Sequence, residues 1–329
     1  MTALLEVRDL AMHFPVRNDI LGRTTQVLKA VDGVTLELDP GRTLGVVGES
    51  GCGKTTLSRM ILRLLKPTAG AIRFDGTDIA AADDRELRQI RRELQAVFQD
   101  PFGSLNPRMR VRDIVGEPLM NLGWPRDRID ARVREVLAIV GLPVEYATRY
   151  PHAFSGGQRQ RIGIARALAP SPRLIVCDEA VSALDVSIQA QVLNLLKDIQ
   201  NQFGVAYLFI SHNLAVVRHL SHRVAVMYLG KVVEEADEPD LFGRPLHPYT
   251  AALIAAVPEP DPAHAMRAPA LEGDLPSPLD PPPGCAFHTR CPIVRERCRS
   301  EAPALTVPAP GRLVRCHFPG EYRPTEAQR

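Results

Sequence analysis

One loop constrains this chain more than any other feature. Residues 48–56 read Gly-Glu-Ser-Gly-Cys-Gly-Lys-Thr-Thr and fit the phosphate-binding pattern G-x-x-x-x-G-K-[ST] at every fixed position. The apolar run 43–47 predicts a buried strand before the loop, and the apolar spacing of 57–65 predicts a helix after it. Glycine suits such a turn because a backbone without Cβ can bring its N–H groups close to phosphate oxygens. The loop predicts a nucleotide site, and a chance glycine turn is the alternative.

The motif assigns roles to individual side chains. Lys54 is expected to reach the β- and γ-phosphates, Thr55 to bind Mg²⁺ and Thr56 to contact the α-phosphate. The other predicted nucleotide-binding residues of the loop are Gly48, Ser50, Gly51 and Gly53. Phe14 ends a predicted strand over 4–14, and it is either a core aromatic or a stacking platform for an adenine ring.

Composition narrows the class of protein. With 329 residues the chain is long enough for roughly two domains. The 40 basic and 38 acidic residues give a net charge of +2, so there is no electrostatic reason to expect a nucleic-acid partner. No apolar run reaches the roughly 18–20 residues of a membrane span, and no export segment opens the chain. We expect a cytoplasmic protein whose membrane role, if any, comes through another chain.

The first half of the chain reads as strands around a helical insertion. Residues 34–38 predict a strand, and the polar stretch 15–25 before it predicts an exposed loop. The pattern from 111 to 150 is helical with breaks at 123–125 and 141–143, which indicates a small helical subdomain over about 100–170. The remaining predicted elements here are a strand at 71–74, a helix at 83–92, a strand at 94–98 and an irregular segment at 100–107.

Polar residues follow several predicted strands and helix starts. Ser155-Gly-Gly-Gln158 opens a helix, where it is either an N-cap or a second anion site. Asp178 and Glu179 end the strand 174–177; they are either loop residues or a Mg²⁺ partner and a base for water. His212, after the strand 205–210, is either structural or a γ-phosphate contact.

Composition changes towards the C-terminus. Residues 224–235 predict a hairpin and 247–257 a helix, after which proline dominates 258–283. We therefore divide the chain into a domain at 1–257 and a Pro-rich connector with a C-terminal region at 258–329. That region contains Cys285, Cys291, Cys298 and Cys316, and their spacing leaves metal binding or four unrelated thiols open.

Taken together and in this order, the motifs resemble the nucleotide-binding subunit of an ABC transporter. The motifs are 48–56, Gln99, 155–158, 174–179, 182–185 and His212, and the resemblance covers about residues 4–255. Residues 98–108, the tetrapeptide His247-Pro-Tyr-Thr250 and the four cysteines narrow it to the dipeptide and oligopeptide import ATPases over nearly the whole chain.

The resemblance implies a fold and an assembly. The fold would be an α/β P-loop NTPase cassette with a mixed central sheet, an antiparallel β subdomain and an inserted helical subdomain, plus the small Cys-containing region. Two ATP molecules would be held between this chain and a second, homologous ATPase subunit, in a heterodimer on the cytoplasmic face of the membrane. Two transmembrane permeases and an extracytoplasmic substrate-binding protein would complete the importer, and no nucleic acid would take part.

The resemblance also implies residue roles. Asp178 would support Mg²⁺, Glu179 would polarise the attacking water, and Gln99 would sense Mg²⁺ and water. Ser155, Gly156, Gly157 and Gln158 would bind the γ-phosphate of ATP held by the opposite subunit. Asp185 would cross that interface, and His212 would contact the γ-phosphate in its own subunit. Phe154, Phe14 and Thr55 depart from the commonest residues of the family, but no chemical group is lost.

Two further expectations rest on the resemblance. It favours a [4Fe–4S] cluster on the four cysteines, which spacing alone does not identify. It also favours a peptide as the imported solute, and nickel or oligosaccharide importers and a soluble non-transport ABC ATPase are the alternatives. The single cassette with its short helical insertion argues against the non-transport class.

Overall fold

The computed structural model describes residues 3–18, 24–100, 103–257 and 273–322. Parts of the predicted loop 15–25, of the irregular segment 100–107 and of the Pro-rich connector lie outside the described residues, as does the end of the chain. Within the described ranges, no helix combines the length and apolar character needed to cross a bilayer.

The described elements alternate between strands and helices along much of the chain. The strands are β1 (Leu5–Asn18), β2 (Thr24–Leu38), β3 (Thr43–Val47), β4 (Ala69–Phe74), β5 (Thr77–Asp78), β6 (Leu94–Val97), β7 (Leu174–Asp178), β8 (Ala206–Ile210), β9 (Arg223–Tyr228), β10 (Lys231–Asp237), β11 (Thr306–Ala309) and β12 (Arg312–Val314). The α-helices are α1 (Lys54–Ile61), α2 (Asp84–Glu93), α3 (Val111–Asn121), α4 (Arg126–Ile139), α5 (Gly156–Leu168), α6 (Val186–Phe203), α7 (Leu214–Leu220), α8 (Glu238–Gly243), α9 (Pro248–Ala255) and α10 (Glu296–Ser300).

In the part of the chain that the structure describes, the strands form two sheets. The smaller sheet is antiparallel, in the order β2-β1-β4-β5. The larger sheet has the order β11-β12-β10-β9-β3-β8-β7-β6. It is parallel from β9 to β6 and antiparallel from β9 through β10 and β12 to β11. These sheets confirm the predicted α/β cassette with a mixed central sheet and an antiparallel subdomain.

The central strands are buried on both faces, as their unbroken apolar sequences predict. Every residue of β3, β7 and β8 is buried. Alternate side chains serve two cores, because successive residues of a strand point to opposite faces. Val46 packs with α1 and the antiparallel sheet, whereas Val47 packs with the helical side. The sheet therefore holds the ends of its parallel strands in fixed positions.

The helical insertion follows the predicted breaks. Helix α3 ends before Gly123 (φ 76°) and α4 ends before Gly141 (φ 69°). Both glycines adopt the left-handed conformation that commonly ends a helix and that other residues disfavour. Helices α3, α4 and α5 pack on one another through buried aliphatic residues such as Val115, Val133 and Ile162.

The first hairpin differs from the sequence-based expectation. Strands β1 and β2 continue to the pair Asn18 and Thr24, so the connecting loop is shorter than the predicted 15–25, and β2 begins well before residue 34. Gln26 and Leu28 are half-buried, while Val27 and Lys29 are exposed. Burial alternates as in a strand, but apolar character does not follow it, because Val27 points outwards and Gln26 inwards. The hydrophobic pattern therefore gave no strand signal there.

The C-terminal region extends the larger sheet. Strand β12 pairs with β10 through Glu234 with Val314 and Glu235 with Leu313. The fully buried carboxylate of Glu234 accepts hydrogen bonds from the backbone N–H groups of Leu246 (2.7 Å) and His247 (2.8 Å). It also accepts one from Arg312 of β12 (3.1 Å). Burial raises the pKa of Glu234, although these donors oppose the shift.

Replacing Glu234 should destabilise the fold. Glu234→Ala leaves the buried Arg312 without its carboxylate partner and the backbone N–H groups of Leu246 and His247 without their acceptor, which should lower the free energy of unfolding by about 3 kcal/mol. Urea denaturation followed by circular dichroism measures the change. The control Glu301→Ala removes an exposed carboxylate paired with Arg297 and should leave the transition midpoint in place. Equal midpoints for Glu234→Ala and the unmodified protein would contradict the role given to Glu234.

Candidate nucleotide-binding site

The phosphate loop leaves the carboxyl end of β3 and turns into α1, as predicted. Gly48 (φ 154°), Gly51 (φ 82°) and Gly53 (φ 106°) have backbone conformations that other residues rarely adopt. A Cβ on Gly48 would lie 2.2 Å from the carbonyl oxygen of Met227, and one on Gly53 would lie 2.1 Å from that of Ala30. A Cβ on Gly51 would meet no atom within 4 Å, so this part of the loop faces open space. The loop therefore packs closely against other backbone atoms at Gly48 and Gly53, and it faces open space at Gly51.

A cavity of about 380 Å³ lies over the loop. It brings together Phe14, the phosphate loop and Glu179, which lie far apart in the sequence. The lining residues are Phe14, Leu28, Lys29, Ala30, Ser50, Gly51, Gly53, Lys54, Thr55, Thr56, Glu179, Leu229, Gly230 and Pro278. Phe14 is half-buried and also packs on the core of the antiparallel sheet, so it both supports that core and forms a wall of the cavity.

Lys54 provides a cation at the base of the cavity. Its side chain is buried, and Nζ donates to the carbonyl oxygens of Gly48 (2.7 Å) and Glu49 (3.0 Å). Both carbonyl oxygens are neutral acceptors. Phosphate oxygens can replace them as acceptors for Lys54, and the new hydrogen bonds would be stronger because both partners are charged.

Asp178 ends β7 beside the start of α1. Its Oδ2 accepts the hydroxyl of Ser58 (2.7 Å), while Oδ1 is buried and has no hydrogen-bond partner among the described residues. Burial is the main cause that raises the pKa of Asp178, and the neighbouring Glu179 adds to it. A buried carboxylate oxygen without a partner, close to the cavity-lining Thr55 through Ser58, suits a hard divalent cation such as Mg²⁺.

Glu179 and His212 lie together at the ends of neighbouring strands. Glu179 has φ 51°, an uncommon conformation for a residue with a side chain, and its N–H donates to the carbonyl oxygen of Ile210 (2.9 Å). The Nδ1 of His212 lies 3.2 Å from Oε1 of Glu179. The parallel pairing of β7 with β8 explains this contact, because both carboxyl ends reach the same edge of the sheet.

The segment 155–158 lies elsewhere. Ser155 is the N-cap of α5, and its side chain accepts the N–H of Gln158 while the Gln158 side chain accepts the N–H of Ser155. A Cβ on Gly157 would lie 2.5 Å from Ile188 of α6, whereas Gly156 has more room. Asp185 is the exposed N-cap of α6, and Gln99 is exposed after β6. None of these residues lines the cavity described above.

Some residues near the site were missed by sequence analysis. Ser58 lies one helical turn beyond Thr55 and could have been found from that spacing. Leu28, Leu229 and Pro278 reach the cavity only through tertiary packing and carry no sequence signal.

The four C-terminal cysteines lie in one neighbourhood. The N–H of Cys285 donates to the carbonyl oxygen of Cys298 (2.8 Å), and the thiol of Cys316 is close enough to the other three for their charges to interact. Burial raises the pKa of Cys285, Cys291 and Cys316. Across the described ranges, no three His, Cys, Asp or Glu side chains are grouped as a metal ion would require.

Comparison with known proteins identifies the family. The ABC transporter family model matches residues 31–182, and the model of the oligopeptide/dipeptide transporter C-terminal region matches residues 233–298. Similar proteins include the probable peptide ABC transporter ATP-binding protein y4tS of Sinorhizobium fredii, which is 53% identical over 96% of this chain and 90% of its own length. The oligopeptide transport ATP-binding protein AppF of Bacillus subtilis is 52% identical over 96% and 97% of the two chains.

Solved structures agree with this assignment. The cbiO1 protein of Clostridium perfringens, part of the ABC transporter complex cbiONQ, has a TM-score of 0.64 and 27% identity over 74% of this chain and 92% of its own. The ATP-binding cassette MJ0796, a dimer bound to ADP and Pi, has a TM-score of 0.62 and 27% identity over 71% and 98%. The chain belongs to the family of ABC transporter ATP-binding proteins and is an ABC-type ATPase.

Proposed function

We propose that this chain is the ATP-hydrolysing subunit that energises peptide import, and that it works on the cytoplasmic face of the membrane. The observation that carries the proposal is the joining of two features in one chain. A nucleotide site of the ABC type is followed by a region that matches the C-terminal region of oligopeptide and dipeptide transporters. Relatives named for peptide transport resemble the chain over 96% of its length. The same match argues against a soluble, non-transport ABC ATPase.

The residues of the cavity can bind and orient ATP. Phe14 offers an aromatic face for the adenine ring, and the open side of Gly51 admits phosphate oxygens to the loop. Lys54 would exchange its two carbonyl acceptors for β- and γ-phosphate oxygens. Thr55 and Asp178 would hold Mg²⁺, and the ion would neutralise charge that develops on the phosphates. Gln99, which lies outside the cavity wall, would contact Mg²⁺ and water only in the assembled state.

Glu179 is the proposed base. Its carboxylate lines the cavity and its left-handed backbone is held by the hydrogen bond to Ile210. It would orient the attacking water and accept its proton, while His212, hydrogen-bonded to Glu179, would contact the γ-phosphate. Phosphoryl transfer depends mainly on such positioning and on charge stabilisation.

The Glu179→Gln variant tests this assignment. The amide keeps the shape of the side chain but cannot accept a proton, so ATP should still bind and hydrolysis should slow by about 10²- to 10⁴-fold. Single-turnover hydrolysis and binding of a fluorescent ATP analogue measure the two effects. The control Glu145→Gln changes a carboxylate of the helical subdomain that does not line the cavity. Turnover at the unmodified rate in Glu179→Gln would remove Glu179 from this role.

We also propose that a second ATPase subunit completes the site. Ser155 and Gln158 lie outside the cavity wall of their own chain, at the start of a helix whose N–H groups favour an anion. Asp185 and Val186 are exposed beside them, and the Val186 side chain is 83% exposed. Such a surface suits a subunit contact, in which 155–158 meets the γ-phosphate bound by the partner. The proposed partner is a second ATPase subunit that is homologous to this chain but distinct from it.

A groove supports docking of the permeases. It has a volume of about 830 Å³ and lies between the end of α1, helix α2 and helix α3. Leu64 (56% exposed) and Phe98 (37% exposed) present apolar surface there, with the cations Arg63, Arg88 and Arg91 around them. Phe98 precedes Gln99, so a permease segment in this groove would lie next to the residue proposed to sense Mg²⁺ and water.

Assembly should therefore control activity. The isolated chain should hydrolyse ATP slowly, and addition of the partner ATPase and permeases should raise turnover several times. Leu64→Arg should reduce this stimulation, because a charge in the groove opposes burial of an apolar permease segment. Val144→Arg, at another exposed apolar position, is the matched control. Full turnover by a demonstrated monomer would refute the shared site.

We further propose that Cys285, Cys291, Cys298 and Cys316 hold a [4Fe–4S] cluster. Four cysteine thiolates are the usual ligand set of such a cluster, and the backbone N–H of Cys285 is hydrogen-bonded to the carbonyl oxygen of Cys298. The cluster would cross-link a region in which proline is frequent and apolar residues are few, so its proposed role is structural.

Metal analysis tests the cluster. Protein purified without oxygen should be brown and contain about four irons per chain, and Cys298→Ser should lose the colour. Cys52→Ser, in the phosphate loop, changes a thiol outside the C-terminal region and should keep it. Colourless protein with one zinc, or four titratable thiols and no metal, would overturn the cluster but leave the ATPase assignment intact.

A further inference from the structure

Glu49 is the first variable residue of the phosphate loop, and each of its polar groups has a partner. Its N–H donates to the hydroxyl of Tyr249 (3.0 Å), and its carbonyl oxygen accepts from Lys54 (3.0 Å). Both carboxylate oxygens accept from Nη1 of Arg290, at 3.0 and 3.1 Å. The phosphate loop is thus held in place through Glu49, on the side of the loop that faces away from the cavity.

Two of these three partners come from the C-terminal part of the chain. Tyr249 lies on α9, 200 residues after Glu49, and Arg290 lies in a short 3-10 turn, 241 residues after it. Both belong to the stretch 233–298 that matches the transporter C-terminal region. Pro278, from the same part of the chain, lines the nucleotide cavity itself. The stretch 233–298 therefore reaches the nucleotide site at several points.

The partners of Glu49 are held firmly. Tyr249 is fully buried, and its ring contacts Tyr228 (centroids 4.7 Å apart) and Phe287 (5.4 Å). Phe287 packs against Tyr228 as well, at 5.3 Å, and is itself buried. Arg290, three residues after Phe287, has a side chain only 7% exposed. A rigid aromatic cluster thus carries the groups that hold the loop.

Contacts other than that of Arg290 also attach the C-terminal region. Strand β12 pairs with β10, Arg312 is bound to the buried Glu234, and Phe287 is part of the core. These contacts are independent of Glu49. The ion pair of Arg290 with Glu49 lies at the phosphate loop. There it neutralises a carboxylate beside the binding site for a highly charged anion.

We propose that Arg290 is a positioning residue for ATP: by binding Glu49 it fixes the phosphate loop and cancels a negative charge that would oppose the triphosphate. The inference rests on the loop binding ATP. It gives the C-terminal region a direct role in nucleotide affinity, in addition to any role in metal binding or assembly.

The test is a double-mutant cycle on the full chain. Arg290→Gln leaves the Glu49 carboxylate uncompensated and should raise the Kd for a fluorescent ATP analogue on the order of tenfold. Arg290→Lys retains a cation, and since one nitrogen of Arg290 serves both carboxylate oxygens, it should restore much of the affinity. In a Glu49→Gln background the Arg290→Gln change should have less than about a twofold effect, because the carboxylate it compensates is gone.

Control and kinetic measurements separate positioning from general damage. Arg297→Gln breaks another arginine–glutamate pair in the C-terminal region, with Glu301, and should leave the Kd unchanged. In the assembled complex Arg290→Gln should raise KM for ATP with kcat nearly unchanged, since Glu179 and His212 are untouched. The melting temperature without nucleotide, measured for Arg290→Gln and Arg297→Gln, separates any loss of fold stability from the loss of ATP affinity.

Each outcome bears on the proposal. A tenfold higher Kd that disappears in the Glu49→Gln background supports it. Equal effects of Arg290→Gln in both backgrounds, or an unchanged Kd, overturn it while the ATP-binding assignment stands. Failure of the unmodified chain to bind ATP would instead refute the proposed function.

Discussion

The site depends on one constraint, the exit of the chain from a strand that is buried on both faces. Strand β3 lies between β8 and β9, and all five of its residues are buried. The chain must turn where β3 ends, and at Gly48 it passes so close to the carbonyl of Met227 that no side chain fits. The sheet therefore restricts the path of the loop at Gly48, and the contacts of Glu49 with Tyr249 and Arg290 restrict it further.

The same sheet gathers the remaining polar groups. Asp178 ends β7, Glu179 follows it and His212 follows β8, and the parallel pairing of these strands brings the three residues to one edge. The pairing explains why polar residues that follow separate strands in the sequence lie close together in the structure. Phosphate-loop glycines, acidic residues and histidine each carry a local signal, and the signals reinforce one another when the strands are recognised as parallel neighbours.

Other parts of the structure could not be predicted from local sequence patterns. The extension of β2 was missed because Gln26 faces inwards and Val27 outwards, which reverses the usual pattern. The partners of Glu49 were missed because Tyr249 and Arg290 lie 200 and 241 residues away, and no spacing rule connects positions so distant. The pairing of β12 with β10 was missed for the same reason: the short strand 312–314 carries too little pattern to reveal that it extends a sheet. The sequence thus predicted which residues carry the chemistry of the site. The distant residues that support them could be identified only from the folded structure.

The distance between Glu49 and Arg290 along the chain also sets an order of events during synthesis. Arg290 is added 241 residues after Glu49, which at about 5–20 residues per second is a delay of roughly 12 to 48 s. For almost all of that interval the emerging polypeptide has its phosphate loop with Lys54, and in the later part it also has Asp178, but it lacks the cation that pairs with Glu49. The residues of the phosphate loop are thus made well before the cation that pairs with Glu49, so the full set of contacts that hold the loop becomes available only after Arg290 has been synthesised.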